Sequence, residues 1–238
     1  MKKITSVLFL FYCFSVGWAQ TVPPCTLEIT DAETFARDWT VIDVNSDVSA
    51  NTWAYNDGNA MYTQDKSNAA DDWLIAPAVT LEAGKAYKVS AYVKHSSTFG
   101  SDKQKIELKI GTAPTVEGLT TRLVYDESFQ SRLFVEKSGT FSPAESGVFY
   151  VGLRCYSESY NGDLYFQKIV IEEAPVYPAQ ITDLSIVAGE RGAMSATLSW
   201  TWPSSDHLGG ALSNLLGAKI YRGTDLVATL DTATVGGK

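Results

Sequence analysis

The stretch Gln104-Lys105-Ile106-Glu107-Leu108-Lys109-Ile110-Gly111 indicates the fold more clearly than any other part of the sequence. Apolar residues alternate with charged ones, so Ile106, Leu108 and Ile110 share one face. Because successive side chains of a β-strand point to opposite faces, this pattern is typical of a half-buried antiparallel strand. We therefore expect a core built on one face of such strands.

Similar strand-type runs recur along the chain, separated by turn residues such as Gly and Asn. Only residues 31–38 have a helical pattern, and they are long enough for one or two turns. Many short strands with turn signals at this spacing predict an all-β protein, either a sandwich or a jelly roll. The other predicted strands cover residues 39–44, 86–93, 132–141, 148–156 and 164–172.

The composition narrows the class of protein. The chain has 238 residues, of which 45% are hydrophobic and 19% charged, and this excludes a disordered protein. Its formal net charge of −8 comes without any stripe of Lys and Arg, so the chain is not expected to bind nucleic acid. A cationic or neutral ligand suits this negatively charged chain better than a nucleic acid.

The N-terminus, residues 1–19, has the features of a secretory signal peptide. Lys2 and Lys3 precede an apolar stretch over residues 4–16, and Gly17-Trp18-Ala19 forms a small-x-small cleavage site. No later stretch approaches the roughly 20 apolar residues of a membrane-spanning helix. We expect a secreted or cell-surface protein with no transmembrane segment.

Cleavage of that peptide leaves two cysteines, Cys25 and Cys155. An even number of cysteines in an oxidising compartment favours a disulfide, here between the start of the mature chain and a late strand. The alternative is a pair of unbonded, buried thiols.

A domain boundary is predicted where two prolines, Pro175 and Pro178, flank an extended segment that would interrupt a helix or a central strand. The expected domains are residues 20–174 and residues 179–238, with residues 175–178 as the linker. Strand-type patterning restarts after the linker.

The second domain resembles a fibronectin type III domain. The resemblance rests on Leu198-Ser199-Trp200-Thr201-Trp202-Pro203 and on Lys219-Ile220-Tyr221-Arg222, which match the second and third strands of that family. It implies an immunoglobulin-like sandwich, which normally has seven strands in about 100 residues. Residues 179–238 are too few for seven strands, so we expect this sandwich to be incomplete, and the chain to be the N-terminal part of a longer protein.

The first domain resembles the cleaved-adhesin or choice-of-anchor J family, whose members are jelly-roll modules of bacterial surface proteins. The resemblance covers roughly residues 26–173. It rests on Phe35, the run Trp39-Thr40-Val41-Ile42-Asp43, Trp53, the run Asp72-Trp73-Leu74-Ile75-Ala76-Pro77-Ala78-Val79-Thr80-Leu81, Gly84 and Tyr87.

A metal site is predicted after the first of these runs. Asp43, Asn45 and Asp47 place oxygen-bearing side chains at alternate positions, a spacing that suits a hard cation such as calcium. The family resemblance also implies a structural calcium ion near such an Asp-rich loop. The alternative is a solvated turn after a strand, and the spacing does not decide between the two.

Four aromatic residues, Trp53, Tyr55, Tyr156 and Tyr160, lie in or beside loops rich in Asn, Asp and Gly. Flat aromatic faces in such loops can stack on sugar rings, with the polar neighbours hydrogen-bonding the hydroxyl groups. The alternative is that these rings cap the ends of the sandwich.

Catalytic motifs are not found. The two histidines, His95 and His207, fall in different predicted domains, and neither His-Glu-x-x-His nor Gly-x-Ser-x-Gly occurs. The leading hypothesis is a non-catalytic adhesion or ligand-binding region of a bacterial surface or secreted protein, with a carbohydrate or an extracellular protein as ligand. Its rivals are an accessory region of a secreted hydrolase whose catalytic domain lies outside this chain, and a structural stalk.

Overall fold

Strands make up nearly all of the regular structure in this computed structural model, which describes residues 21–46, 51–97, 101–192, 194–207 and 209–238. The predicted signal peptide and Asp47 lie outside the described residues. The elements are β1 (Cys25–Glu28), α1 (Ala32–Asp38), β2 (Thr40–Asp43), β3 (Trp53–Asn56), β4 (Asn59–Tyr62), β5 (Asp72–Ile75), β6 (Val79–Leu81), β7 (Tyr87–His95), β8 (Gln104–Gly111), β9 (Thr121–Phe129), β10 (Val135–Phe141), β11 (Gly147–Cys155), β12 (Leu164–Glu173), β13 (Ser185–Ala188), β14 (Ala196–Ser199), β15 (Ala218–Arg222) and β16 (Asp225–Leu230).

The predicted helix is present as α1. Asp31 caps its N-terminus, because the Asp31 carboxylate accepts a hydrogen bond of 2.7 Å from the backbone N–H of Thr34. Phe35 is the buried residue of this helix and joins the core. Within the described residues no helix has the length and apolar content needed to cross a membrane.

The first twelve strands form two antiparallel sheets. Sheet A has the order β10-β7-β12-β4-β3, with β1 also paired to β12. Sheet B has the order β2-β5-β11-β8-β9, with β6 also paired to β11. Neighbouring strands come from distant parts of the chain, as in jelly rolls. The all-β prediction with a jelly-roll sandwich is confirmed.

The interior lies between the two sheets. In β8, Ile106, Leu108 and Ile110 are all buried in this core, as the alternation predicts. In β12 the alternation changes phase, because Phe166 and Ile169 are both buried although three positions separate them. A register shift opposite β7, between Phe166 and Lys168, inserts the extra residue that turns Ile169 back towards the core.

The outer side of sheet B carries a second, smaller apolar cluster. Trp73 and Ile75 of β5 pack there against Leu119 from the loop that joins β8 to β9. Gly152 of β11 makes room for this loop, since a Cβ atom at that position would lie 2.4 Å from the Leu119 Cδ1 atom. The loop therefore covers one part of the outer face of sheet B.

The last four strands form two separate two-stranded sheets, β13 with β14 and β15 with β16. Large apolar side chains in this segment are exposed, among them Ile186, Val187 and Tyr221. The assignment to an incomplete fibronectin type III domain stays a prediction.

The predicted disulfide between Cys25 and Cys155 is not formed, and both cysteines are free. Cys25 lies on β1 of sheet A, whereas Cys155 lies on β11 of sheet B. The structure corrects this prediction: Cys155 is a fully buried thiol, whose Sγ atom donates to the Oε1 atom of Gln104 at 3.3 Å instead of bonding to Cys25.

Candidate ligand-binding face of sheet B

One line of side chains runs across all five main strands of sheet B. Ile42, Trp73, Arg154, Glu107 and Tyr125 occupy directly opposed positions on β2, β5, β11, β8 and β9. Their sequence neighbours on these strands point into the core, so this line lies on the outer face. The pairing register of the strands thus places aromatic and charged side chains from distant parts of the chain next to one another.

Arg154 is the central fixed group of this line. Its guanidinium forms two parallel hydrogen bonds with the carboxylate of Asp71, at 2.7 and 2.9 Å. These bonds raise the pKa of Arg154, and two-point contacts of this kind fix the plane of the guanidinium. The Arg154 Cζ atom lies 5.6 Å from the centre of the Trp73 ring, within the range of a cation–π contact.

Glu107 is a carboxylate that is only 5% exposed. Three cations surround it: Lys109 at 3.5 Å, Arg154 at 3.6 Å and Arg122 at 3.7 Å. A buried charge needs such partners to offset the loss of its hydration. The Glu107 carboxylate therefore holds three cationic side chains close together on this face by electrostatic attraction.

Two stacked tyrosines lie at the β9 end of this line. Tyr156, which follows β11, stacks on Tyr125 of β9, with ring centres 6.1 Å apart and ring planes 20° from parallel. Arg154 lies 5.1 Å from the Tyr156 ring, and Arg122 lies 4.7 Å from the Tyr125 ring. We call this succession of Trp73, Arg154, Tyr156, Tyr125 and Arg122 the aromatic–cation row.

The outer end of the row is open to solvent. Tyr125 is 51% exposed, and its hydroxyl donates a 2.7 Å hydrogen bond to Glu127. The side chain of Arg122 is 57% exposed. Burial raises the pKa of Tyr156, so that its hydroxyl stays neutral at physiological pH. At this end the row thus offers one exposed aromatic ring with hydrogen-bond donors and the Glu127 carboxylate beside it.

Of the four aromatic residues predicted as ligand contacts, only Tyr156 belongs to this row. Trp53 is 2% exposed, and its indole N–H donates to the backbone carbonyl of Asp72 at 3.2 Å. Trp53 is therefore a core residue, and its prediction as a ligand contact is wrong. Tyr55 packs against the same core and is partly buried. Tyr160 is exposed, in a cleft formed by other loops.

Sequence reasoning missed Tyr125 and Arg122 because it did not predict β9. Two register shifts between β8 and β9, one between Gln104 and Ile106 and one between Leu108 and Lys109, disturb the alternation. The remaining signal is the run Leu123-Val124-Tyr125, which favours a strand but does not show which face is buried.

The predicted calcium ligands lie at the opposite edge of sheet B. Asp43 ends β2, and its carboxylate accepts a 2.6 Å hydrogen bond from the backbone N–H of Ser46. The side-chain amide of Asn45 donates to the carbonyl of Ala69 at 2.7 Å, and Asp47 lies outside the described residues. Within the part of the chain that the structure describes, no group of three or more His, Cys, Asp or Glu side chains is arranged to hold a metal ion.

Comparison with known proteins gives structural neighbours only. No protein-family model matches the sequence, and no curated protein matches it. The K3 cleaved adhesin domain of Lys-gingipain from Porphyromonas gingivalis is 12% identical over 60% of this chain and 92% of that domain, with a TM-score of 0.45. A CBM4 structure is 15% identical over 63% of this chain and 94% of its own length, with a TM-score of 0.42. TmCBM61, solved with β-1,4-galactotriose, is 18% identical over 58% of this chain and 83% of its own length, with a TM-score of 0.34.

Proposed function

We propose that this chain is a non-catalytic glycan-binding region of a secreted or surface-displayed protein, and that Tyr125 and Arg122, the exposed end of the aromatic–cation row on sheet B, form its binding face. The observation that carries the proposal is the half-exposed Tyr125 ring, which stacks on the partly buried Tyr156 and lies 4.7 Å from the exposed Arg122 guanidinium. Tyr156 supports the Tyr125 ring, and the side chain of Arg122, which is 57% exposed, is the group that would move aside for a ligand.

The chemistry of the row suits a sugar better than a purely apolar ligand. A pyranose ring has a face of C–H groups that packs on an aromatic ring, and an edge of hydroxyl groups that needs hydrogen-bond partners. Tyr125 supplies the aromatic face, Arg122 supplies donors, and Glu127 supplies an acceptor. Because Tyr125 and Arg122 lie on an open part of the sheet face, this end of the row suits a sugar within a longer polysaccharide.

Affinity electrophoresis would test this function. The full chain is run through native gels that contain β-1,4-xylan, β-1,4-galactan, β-1,3-glucan, α-mannan or chitosan, and through a gel without polysaccharide. We expect at least one polymer to retard the wild-type chain, and Tyr125→Ala to lose that retardation. Tyr165→Ala is the matched control, because Tyr165 is a part-exposed tyrosine on the other sheet. If Tyr165→Ala loses retardation and Tyr125→Ala keeps it, the proposed face is wrong.

Export is part of the proposal and rests on the sequence of residues 1–19. A basic start, a short apolar stretch and a small-x-small cleavage site together support secretion. N-terminal sequencing of the protein recovered from the outside of expressing bacteria should begin at Gln20.

A structural calcium ion near Asp43 is also proposed. Asp43 and the fully buried Asp72 occupy directly opposed positions on β2 and β5. Two like charges opposed across a strand pair destabilise a sheet, and a bound cation would relieve that repulsion. Asp43, Asn45 and Asp47 would supply oxygen ligands, and the ion would tie the loop after β2 to sheet B.

A further inference from the structure

A second polar cleft lies where the loops after β4, β7 and β11 meet. It encloses about 370 Å³, near the lower end of the volumes of small-molecule sites. None of the residues of the aromatic–cation row lines it. Its side chains come from Gln64, Lys66, Ser96, Ser97, Asp102 and Tyr160.

The floor of the cleft is fixed by buried polar groups. The buried amide of Gln104 donates to the carbonyls of Asn161 and Gly162, at 3.1 and 2.6 Å. The N–H of Gly162 in turn donates to the side-chain carbonyl of Gln64 at 2.8 Å. Gly162 has a φ of +81°, and a Cβ atom there would lie 2.7 Å from the buried ring of His95. No other residue fits this position without displacing the loop.

Tyr160 stands on this floor as an exposed ring. It is 65% exposed, and its backbone adopts a φ of +64°, a conformation that is uncommon for a residue other than glycine. Its N–H donates to the carbonyl of Asp65 at 2.9 Å, which holds this conformation in place. Strained backbone that the surrounding structure maintains is concentrated at active sites, ligand clamps and switch regions.

The polar groups around Tyr160 are balanced in charge. Asp102 accepts hydrogen bonds from the hydroxyls of Ser97 and Ser101, which lower its pKa and keep it ionised. Lys66 forms no ion pair with any described residue. One cation, one anion and several hydroxyl and amide groups therefore face a small volume beside a flat ring.

From this arrangement we infer that the loop cleft binds a single neutral sugar residue, such as the end of a glycan chain, with its ring stacked on Tyr160. The cleft is small and bounded by loops, whereas the row on sheet B is open to solvent at Tyr125 and Arg122. The inference rests on the proposed glycan-binding function, but on different residues. The cleft would bind the end of a glycan chain, and the row on sheet B would bind its interior.

NMR titration of the full chain with free sugars tests this inference. The probes are xylose, glucose, galactose, mannose and N-acetylglucosamine, each added separately to uniformly ¹⁵N-labelled protein. We expect at least one sugar to shift the amide signals of Tyr160, Asn161 and Gly162, while those of Tyr125 and Arg154 stay in place. If none of the five sugars shifts the first group, the inference is overturned.

Variants at Tyr160 separate stacking from loop structure. Tyr160→Asn removes the ring but tolerates the left-handed backbone, and it should weaken sugar binding by about tenfold. Tyr160→Phe keeps the ring and should bind within about twofold of wild type, since stacking needs no hydroxyl. Wild-type affinity in Tyr160→Asn would overturn the inference. Because Tyr125 is not part of the cleft, the Tyr125→Ala gel experiment reports on the row independently.

Discussion

Arg154 links most of the groups on the outer face of sheet B. It bonds Asp71 through two hydrogen bonds, lies 3.6 Å from Glu107, and contacts the rings of Trp73 and Tyr156. Each contact alone is modest, but together they hold the guanidinium in one position. The orientation of the binding face therefore depends on this residue more than on its exposed neighbour Arg122.

Replacing Arg154 should test that dependence. Arg154→Met keeps much of the side-chain volume but leaves the buried Glu107 with less compensation, so we expect a loss of about 2–4 kcal/mol in the free energy of unfolding. Arg122→Met is the control, because the more exposed Arg122 should cost at most about 1 kcal/mol. Urea unfolding of both variants gives the two values. Equal losses would contradict the central role of Arg154.

The two cysteines give a second prediction at this scale. In residues 20–238, titration of thiols in the denatured, unreduced chain should find two per molecule, since both are free in the structure. In the folded Cys25→Ser variant, Cys155 should not react at pH 8, because burial raises its pKa to about 12 and keeps reagents out. Finding no thiols in the denatured chain would restore the disulfide.

At the scale of elements, the loop between β8 and β9 depends on a glycine in a neighbouring strand. Leu119 packs on Trp73 and Ile75 only because Gly152 has no side chain. This loop precedes the strand that carries Tyr125. The position of this loop therefore affects where β9 places Tyr125.

Gly152→Ala should displace the loop between β8 and β9. The added methyl group would lie 2.4 Å from Leu119 and 3.2 Å from Trp73, and such overpacking costs about 1–3 kcal/mol. We expect a lower melting temperature by calorimetry and faster proteolysis within residues 112–120. Gly147→Ala is the control, because a Cβ atom there meets nothing within 4 Å. A melting temperature for Gly152→Ala equal to that of the control would show that the loop adapts.

The sequence pattern predicts some elements well and others not at all, for physical reasons. In β8 the pattern predicts the inward face correctly, but it does not show that Glu107 on the charged face is buried as well. Alternation reports which side faces the core, whereas the burial of Glu107 depends on cations from β9 and β11 that no local pattern contains. Tyr156 is a candidate from its polar sequence neighbours, whereas Tyr125 is missed because the register shifts of β9 disturb its strand pattern. Trp53 was misjudged because polar neighbours in sequence do not show that a side chain points inwards.

At the scale of the whole molecule, the two parts of the chain differ in how well they bury apolar residues. The sandwich formed by β1 to β12 has one continuous core. The segment after β12 has small paired strands and exposed side chains such as Leu184 and Leu226. Exposed apolar surface of this kind favours association or further strand pairing.

We therefore predict that residues 179–238 do not fold cooperatively alone. Their small sheets bury too little apolar surface to offset the loss of chain entropy. Calorimetry of this segment should show no unfolding peak, while residues 20–174 should give one. A sharp peak from the short segment would mean that its apolar residues pack more tightly than the structure indicates.

Calcium should affect the stability of the sandwich. A ligand that binds only the folded state at a hundredfold above its dissociation constant adds about 2.7 kcal/mol. Chelation should therefore lower the melting temperature of residues 20–174, and Asp43→Asn combined with Asp47→Asn should remove the effect. If the wild-type melt does not change with chelator, the loop after β2 is a solvated turn.

The most direct test of glycan binding on sheet B is a crystal structure of the chain with an oligosaccharide from whichever polymer retards it in the gel. The proposed function predicts a sugar ring stacked on Tyr125, with atoms within about 4 Å of the ring and a hydroxyl bonded to Arg122 or Glu127. An oligosaccharide bound on the outer face of sheet A, with Tyr125 uncovered, would contradict it.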